Sequence, residues 1–184
     1  MKLRSSLLSL ALTSVFTATA SADMTLTSTD IRTGEKMPKA HEFAGFGCDG
    51  QNLSPQLSWA NAPTGTKSFA VTAYDPDAPT GSGWWHWVVT NIPTSVTSLE
   101  TGAGAENSTA LPASSQTFRT DYGSKSFGGA CPPEGDKAHR YQFKVFALDV
   151  ETLELPAEGS AALVGYYLNA HALEIATLEA LYQR

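Results

Sequence analysis

The sequence is poor in charge, and the charge it has is scattered. Charged residues make up 16% of the 184, with 12 Lys and Arg against 18 Asp and Glu. No block of basic residues occurs, which argues against a nucleic-acid surface. Cysteine is scarce, with Cys48 and Cys131 the only two. Neither belongs to a Cys-x-x-Cys pair, so a thiolate metal centre has little support. No Gly-x-Ser-x-Gly elbow exists, and no serine or cysteine stands out as an activated nucleophile. No repeat or linker interrupts the chain, which points to a single domain over residues 23–184.

The N-terminus reads "MKLRSSLLSLALTSVFTATASA". Lys2 and Arg4 precede a mostly apolar run, and Ala20-Ser21-Ala22 is a small-residue cleavage site. The run is too short and too weakly apolar for a good membrane span. Residues 1–22 are therefore expected to be a signal peptide cleaved after Ala22, giving a periplasmic or secreted chain without stable membrane insertion. A buried N-terminal helix is the rival reading. Removing Lys2 and Arg4 from the 12 basic residues leaves 10 against 18 acidic ones, a net charge of about −8. Such a surface disfavours anionic bilayers. Export and an even cysteine count argue for a Cys48–Cys131 disulfide, with two unpaired buried thiols as the alternative.

Period-two patterns dominate. "MTLTSTDI" alternates and is expected to be a first strand, Met24 to Ile31. A Gly-, Asn- and Pro-rich loop leads to a short strand, Gln56 to Trp59. "KSFAVTAYD" and "HWVVTNI" carry apolar residues on both faces, as central strands do. "TGAGAENSTALPASSQT" has no period and is expected to be a long exposed loop. "HRYQFKVFALD" places Tyr141, Phe143, Val145 and Ala147 on one face. The helical signal comes late: Ser160 as N-cap, then Leu163, Tyr167, Ala170 and His171 at helical spacing. "TLEALYQ" is either a closing strand or a continuation of the helix. The sum is a mainly β domain, expected to be a sandwich with a helix near the C-terminus.

The chemistry concentrates in two segments. "YDPDAPTGSGWWHWVVTNIP" holds Asp75 and Asp77 two residues apart, stiffened by Pro76 and Pro79. By itself this is more often an Asp-Pro turn that caps local N–H groups. His86 then opens an apolar strand between Trp85 and Trp87, and alternation sends it one way and both indoles the other. "CPPEGDKAHRY" repeats the grammar, with a Pro-stiffened loop delivering His139 and Tyr141 to one face of a strand head. If the two heads are neighbours, they form a small polar pocket rimmed by indoles.

These segments resemble the signatures of the phosphatidylethanolamine-binding protein family. The residues that carry the likeness are "DPDAP", "WHWVVTNIP" and "PPEGDKAHRY". "GFGCDGQNLSPQLSW" and "GGACPP" are similar to its bacterial Raf kinase inhibitor-like branch. The resemblance implies a Greek-key β-sandwich with a C-terminal helix and a small anion pocket at one end. It places Asp75, Asp77, Pro79, His86, Pro132, Pro133, His139 and Tyr141 in that pocket. Its ligands would be phosphate-like groups, phosphorylated headgroups or small carboxylates, with no cofactor. Some members regulate kinases or proteases, but an exported chain meets no cytosolic kinase, and that role is not carried over; the aromatic rim instead suits a protein contact or a homodimer face. Cys131 departs from the glycine typical of eukaryotic relatives, which reshapes one wall if it is bridged.

Three function classes follow. In a binding module, imidazoles and a phenol donate to anion oxygens while carboxylates orient the rings. In a hydrolase, the same acids and imidazoles do acid–base work. In a metal protein, Asp75, Asp77, His86 and His139 hold a divalent ion, although no standard ligand spacing supports it. The binding module is favoured. Carboxylates near His86 and His139 are further expected to favour imidazolium, so that anions bind more tightly as pH falls.

Overall fold

The long apolar strands pair with one another. The structure, a computed structural model, describes residues 22–184. The expected signal peptide thus lies outside the described residues, Ala22 apart. In chain order the strands are β1 (Thr25–Thr27), β2 (Ala44–Gly45), β3 (Cys48–Asp49), β4 (Leu57–Ala60), β5 (Ser68–Asp75), β6 (Trp84–Pro93), β7 (Ser98–Leu99), β8 (Gln116–Thr117), β9 (His139–Leu148) and β10 (Ala172–Tyr182). One helix, α1 (Ala161–His171), runs directly into β10. The main sheet is antiparallel with order β10-β9-β5-β6-β8. A smaller sheet has the order β1-β4-β7, and β2 and β3 form a short hairpin.

Both faces of the main sheet are covered, which is why its central strands are apolar on both sides. Tyr141, Phe143, Val145 and Ala147 of β9 join Leu57, Trp59 and Leu99 of the small sheet in one core. Phe146 and Leu148, on the opposite face, pack with Val164 and Leu168 of α1. The expected alternation of β9 is thus what sorts its side chains between the two cores. The chain is mostly β, with one described α-helix, near its C-terminus.

Ser160 caps α1, accepting from the Leu163 N–H. The buried stripe, however, is Ala161, Val164, Gly165 and Leu168. Leu163 and Tyr167, expected to face inward, are 38% and 37% exposed. The reason lies at Gly165, where a Cβ would come within 3.2 Å of the Trp85 indole. The helix docks on its small-residue side because only that side lets it approach the indole. Thr177 to Tyr182 of "TLEALYQ" belong to strand β10, each paired with a residue of β9.

Three boundaries differ from expectation. β1 stops at Thr27 because the Ser28 hydroxyl accepts the N–H groups of Asp30 and Ile31 and turns the chain. The short strand expected at Gln56–Trp59 is Leu57–Ala60. The segment 101–117 is not simply an exposed loop. Ala103 is buried, Gly104 lies against Trp87, and Gln116 and Thr117 pair with Thr90 and Val89.

Candidate functional site

His86 is the extra residue of a β-bulge. Ala73 faces Trp87 and Tyr74 faces Trp85 across β5 and β6, so one residue on β5 is matched by two on β6. The bulge breaks the alternation that would send both tryptophans to one side. Trp87 enters the core between the sheets, whereas Trp85 packs with Tyr74 and the helix side. Bulges commonly re-aim side chains at sites in this way. His86 is buried, edge-on to Tyr122 and Tyr141 at centroid distances of 5.5 and 5.2 Å. Its Nδ1 lies 2.7 Å from the Gly128 carbonyl oxygen, which can only accept, so Nδ1 carries a proton. A backbone carbonyl, not a carboxylate, orients this ring. Its Nε2 is buried and has no partner among the described residues.

Asp75 does two jobs at the end of β5. Its Oδ1 accepts from the N–H groups of Asp77 and Ala78 at 2.8 and 3.1 Å, which is the ordinary Asp-Pro turn. Its Oδ2 accepts from His139 Nδ1 at 2.8 Å. His139 Nε2 is left 3.6 Å from Asp136 Oδ2. Tyr141 shares the face of His139, two residues on, and its buried hydroxyl makes no hydrogen bond among the described residues. Burial first, and the nearby Asp75 carboxylate second, push this phenol's pKa up.

Asp77 does not join them. Its carboxylate grips Arg140, accepting from Nε at 2.8 Å, Nη2 at 3.0 Å and the backbone N–H at 3.0 Å. It does not line the cavity described below. The i and i+2 positions part because the turn at Pro76 ends the strand geometry that would have kept them together. The Arg140 hydrogen bonds hold the Asp77 carboxyl down to about 2, against an ordinary value of 3.8. A depressed carboxyl stabilises the fold above its ordinary value and loses that contribution as pH falls through the folded value. Asp77→Asn is therefore expected to be less stable at pH 6 and to show a flatter stability curve between about pH 4 and pH 2. The loss should be well short of the full shift, because Arg140 is solvated. Denaturant unfolding of both proteins across that range decides it.

The two strand heads enclose a cavity of about 180 Å³. That is below the roughly 300–1,000 Å³ typical of sites for drug-sized ligands. Asp75, Pro79, His86, Pro132, Pro133, His139 and Tyr141 line it, seven of the eight residues expected there. Phe46, Thr80, Trp84, Tyr122 and Cys131 also line it. Tyr122 sits in "RTDYGSKSF", a stretch with no period to mark it. Phe46, not among the expected site residues, lies between two glycines beside Cys48. Cys48 and Cys131 are bonded, with Cα atoms 6.0 Å apart, which brings the Phe46 loop to the cavity mouth. Phe46 is 72% exposed and packs with Phe43 and Tyr122. Asn52, also missed, pins the far wall: its side chain donates to the Phe127 carbonyl and accepts from the Gly129 N–H.

Electrostatics overturn one expectation. Burial holds the His86 pKa below its ordinary value, despite the opposing influence of the Gly128 carbonyl and Asp75. Desolvation of the ring outweighs the nearby carboxylate and works against the imidazolium form. Among the described residues, no group of three or more His, Cys, Asp or Glu side chains is placed to hold a metal ion.

The model of the phosphatidylethanolamine-binding protein family matches residues 27–183. The chain belongs to this family. It is 54% identical over 168 residues to UPF0098 protein YbcL of Escherichia coli K12, covering 91% of each. UPF0098 protein YbhB of the same strain is 48% identical, over 86% of this chain and 99% of that one. The crystal structure of E. coli YbcL, described as a new member of the mammalian PEBP family, superimposes with a TM-score of 0.86. That match is 53% identical and covers 89% of this chain and 99% of the other.

In this PEBP-family chain the wall carrying Cys131 runs close against the segment that carries His41 and Glu42. Phe43 N–H donates to the Ala130 carbonyl, and Ala130 N–H to that of His41. A Cβ on Gly129 would come within 2.4 Å of the His41 carbonyl oxygen and 2.6 Å of the Glu42 backbone. Backbone atoms cannot step aside as a side-chain end can. Gly129→Ala is expected to destabilise by roughly 1–3 kcal/mol, the usual range for overpacking. An unchanged urea midpoint would show that the two segments can separate freely.

Proposed function

We propose that this PEBP-family chain is an exported binding protein for small oxyanions, either phosphate-like groups or carboxylates, and that it does not turn them over. The observation behind this reading is the cavity itself. It gathers His86 Nε2 and the Tyr141 hydroxyl, both buried and without a hydrogen-bond partner among the described residues, around His139 held by Asp75. Buried polar atoms left without a partner carry a desolvation cost, which is relieved by a ligand that offers an oxygen to the Tyr141 hydroxyl and an O–H to His86 Nε2. Among the described residues lining the cavity, the one cysteine is bridged and Thr80 Oγ1 donates to the Gly83 carbonyl, so neither is free as a thiol or hydroxyl nucleophile. The size of the cavity favours a headgroup-sized anion over a lipid tail.

The test is titration of inorganic phosphate by calorimetry. His86→Ala and His139→Ala are each expected to weaken binding at least tenfold, or about 1.4 kcal/mol, while the thermal transition survives. Wild-type affinity in both variants would remove the pocket assignment. Export is tested separately by N-terminal sequencing of the mature protein, which should begin at Asp23. A protein partner or a homodimer is a second reading, supported by the exposed ring of Phe46 at the cavity mouth. Regulation of such a partner would then depend on this rim.

A further inference from the structure

The anion reading leaves open which protonation state the cavity accepts. Building on that reading, we infer that the cavity takes a phosphomonoester as its proton-bearing monoanion, with the P–OH group donating to His86 Nε2 while another phosphoryl oxygen accepts from Tyr141. Three observations carry this. First, the Gly128 carbonyl fixes the His86 proton on Nδ1, at 2.7 Å. Nε2 of the neutral ring is then a lone pair, an acceptor that has nothing to accept from among the described residues. A fully ionised oxyanion presents only lone pairs to it.

Second, the Tyr141 hydroxyl is buried in the same cavity without a hydrogen-bond partner among the described residues, and its ring meets His86 edge-on at 5.2 Å. The cavity thus offers one acceptor and one donor side by side. An HO–P–O unit complements both, whereas sulfate complements only the second. Third, the charge balance disfavours a dianion. The groups facing His86 are Asp75 from β5, His139 and Tyr141 from β9, and Asp121 and Tyr122 from the loop after β8. Asp136 stands behind His139. Among the described residues lining the cavity there is no lysine or arginine. A second negative charge placed beside the Asp75 carboxylate would have no fixed cation to offset it. Burial also resists the alternative of charging His86 to make it a donor.

The same chemistry could reach the protein as a soluble ester or as a lipid phosphomonoester headgroup. The experiment uses the wild-type protein at fixed ionic strength from pH 5 to 7.5. The probes are methyl phosphate, dimethyl phosphate and sulfate. Dimethyl phosphate matches the monoanion in charge but has no P–OH. Methyl phosphate affinity is expected to follow its monoanion fraction. With a second ionisation near 6, that is a fall of roughly 30-fold from pH 5 to pH 7.5. Dimethyl phosphate and sulfate are expected to bind at least tenfold more weakly than methyl phosphate at pH 5. Equal binding of methyl and dimethyl phosphate at pH 5 overturns the P–OH pairing and leaves the anion site standing. If none of the three binds and inorganic phosphate does not bind either, the site and the inference fall together. Vesicles of phosphatidic acid in phosphatidylcholine separate the sources. Co-sedimentation competed by methyl phosphate supports the inference with a lipid as the source. Methyl phosphate binding without co-sedimentation supports it with a soluble ester.

Discussion

Reducing the Cys48–Cys131 disulfide is expected to lower the unfolding free energy by roughly 3–5 kcal/mol and to weaken the proposed anion binding at the same time. The bridge joins residues 83 apart in sequence. Releasing a loop of that length returns roughly 15 cal/mol/K to the unfolded chain, or about 4.5 kcal/mol at 25 °C. The folded side loses less, because other bonds hold the same loops. Phe43 and Ala130 exchange backbone hydrogen bonds with their neighbours across the gap. Arg184 donates through Nε to the Pro132 carbonyl and through Nη1 to that of Gly47, at 2.6 and 3.0 Å. The fold should therefore persist when the bridge is cut, at reduced stability. The Phe46 loop should not keep its place as well. Its ring is mostly exposed, and in the β2–β3 hairpin only Cys48 anchors it covalently to the opposite wall. Urea unfolding of the oxidised protein, the reduced protein and the Cys48→Ser/Cys131→Ser double variant measures the first effect. Phosphate titration of the same three measures the second, with a several-fold loss expected. A stability change under about 1 kcal/mol would mean that the hydrogen bonds alone close the mouth.

The parts of this molecule that could be read from its sequence are those set by local periodicity. β9 alternates Tyr141, Phe143, Val145 and Ala147 against Phe146 and Leu148, and the two sets fill two different cores. Ser160 caps the helix because a hydroxyl at that position satisfies an otherwise free N–H. The site was legible to the same degree. Its histidines and prolines stand in recognisable loops at strand heads. What escaped depends on contacts between distant segments. The helix face followed Gly165 and Trp85 rather than the strongest apolar spacing, since close approach is decided by the partner. The bulge at His86 leaves no mark in the alternation of β6 itself; it exists only in the register with β5. Asp77 looked equivalent to Asp75 until Arg140, 63 residues away, claimed it. Tyr122 enters the cavity from a loop whose own sequence has no period, held through its hydroxyl to the Gly129 carbonyl.

Asp75→Ala is the substitution expected to cost most. The carboxylate is 3% exposed and accepts three hydrogen bonds, from the N–H groups of Asp77 and Ala78 and from His139 Nδ1. Truncation leaves three buried or half-buried donors without an acceptor, each at roughly 1–3 kcal/mol. The bonds share one turn, so their losses will not simply add. A total of about 3–5 kcal/mol is expected, with anion binding abolished as His139 loses its orientation. Asp75→Asn separates the two roles. The amide oxygen can still accept from Asp77 and Ala78, so the turn should hold and the stability loss should be about 1–2 kcal/mol. The amide NH2 then faces His139 Nδ1, and two donors cannot share that 2.8 Å contact. The ring must surrender the Nδ1 proton and carry it on Nε2 instead. His139 Nε2 becomes a donor toward the cavity and toward Asp136, at 3.6 Å. Nitrogen-15 shifts of the imidazole should report the tautomer switch directly. Sulfate, which cannot donate, should gain affinity relative to methyl phosphate in this variant. If Asp75→Ala unfolds within 1 kcal/mol of the wild type, the carboxylate does not hold these three donors in solution. If Asp75→Asn keeps the Nδ1–H tautomer, the orienting role belongs to the backbone around His139 rather than to Asp75.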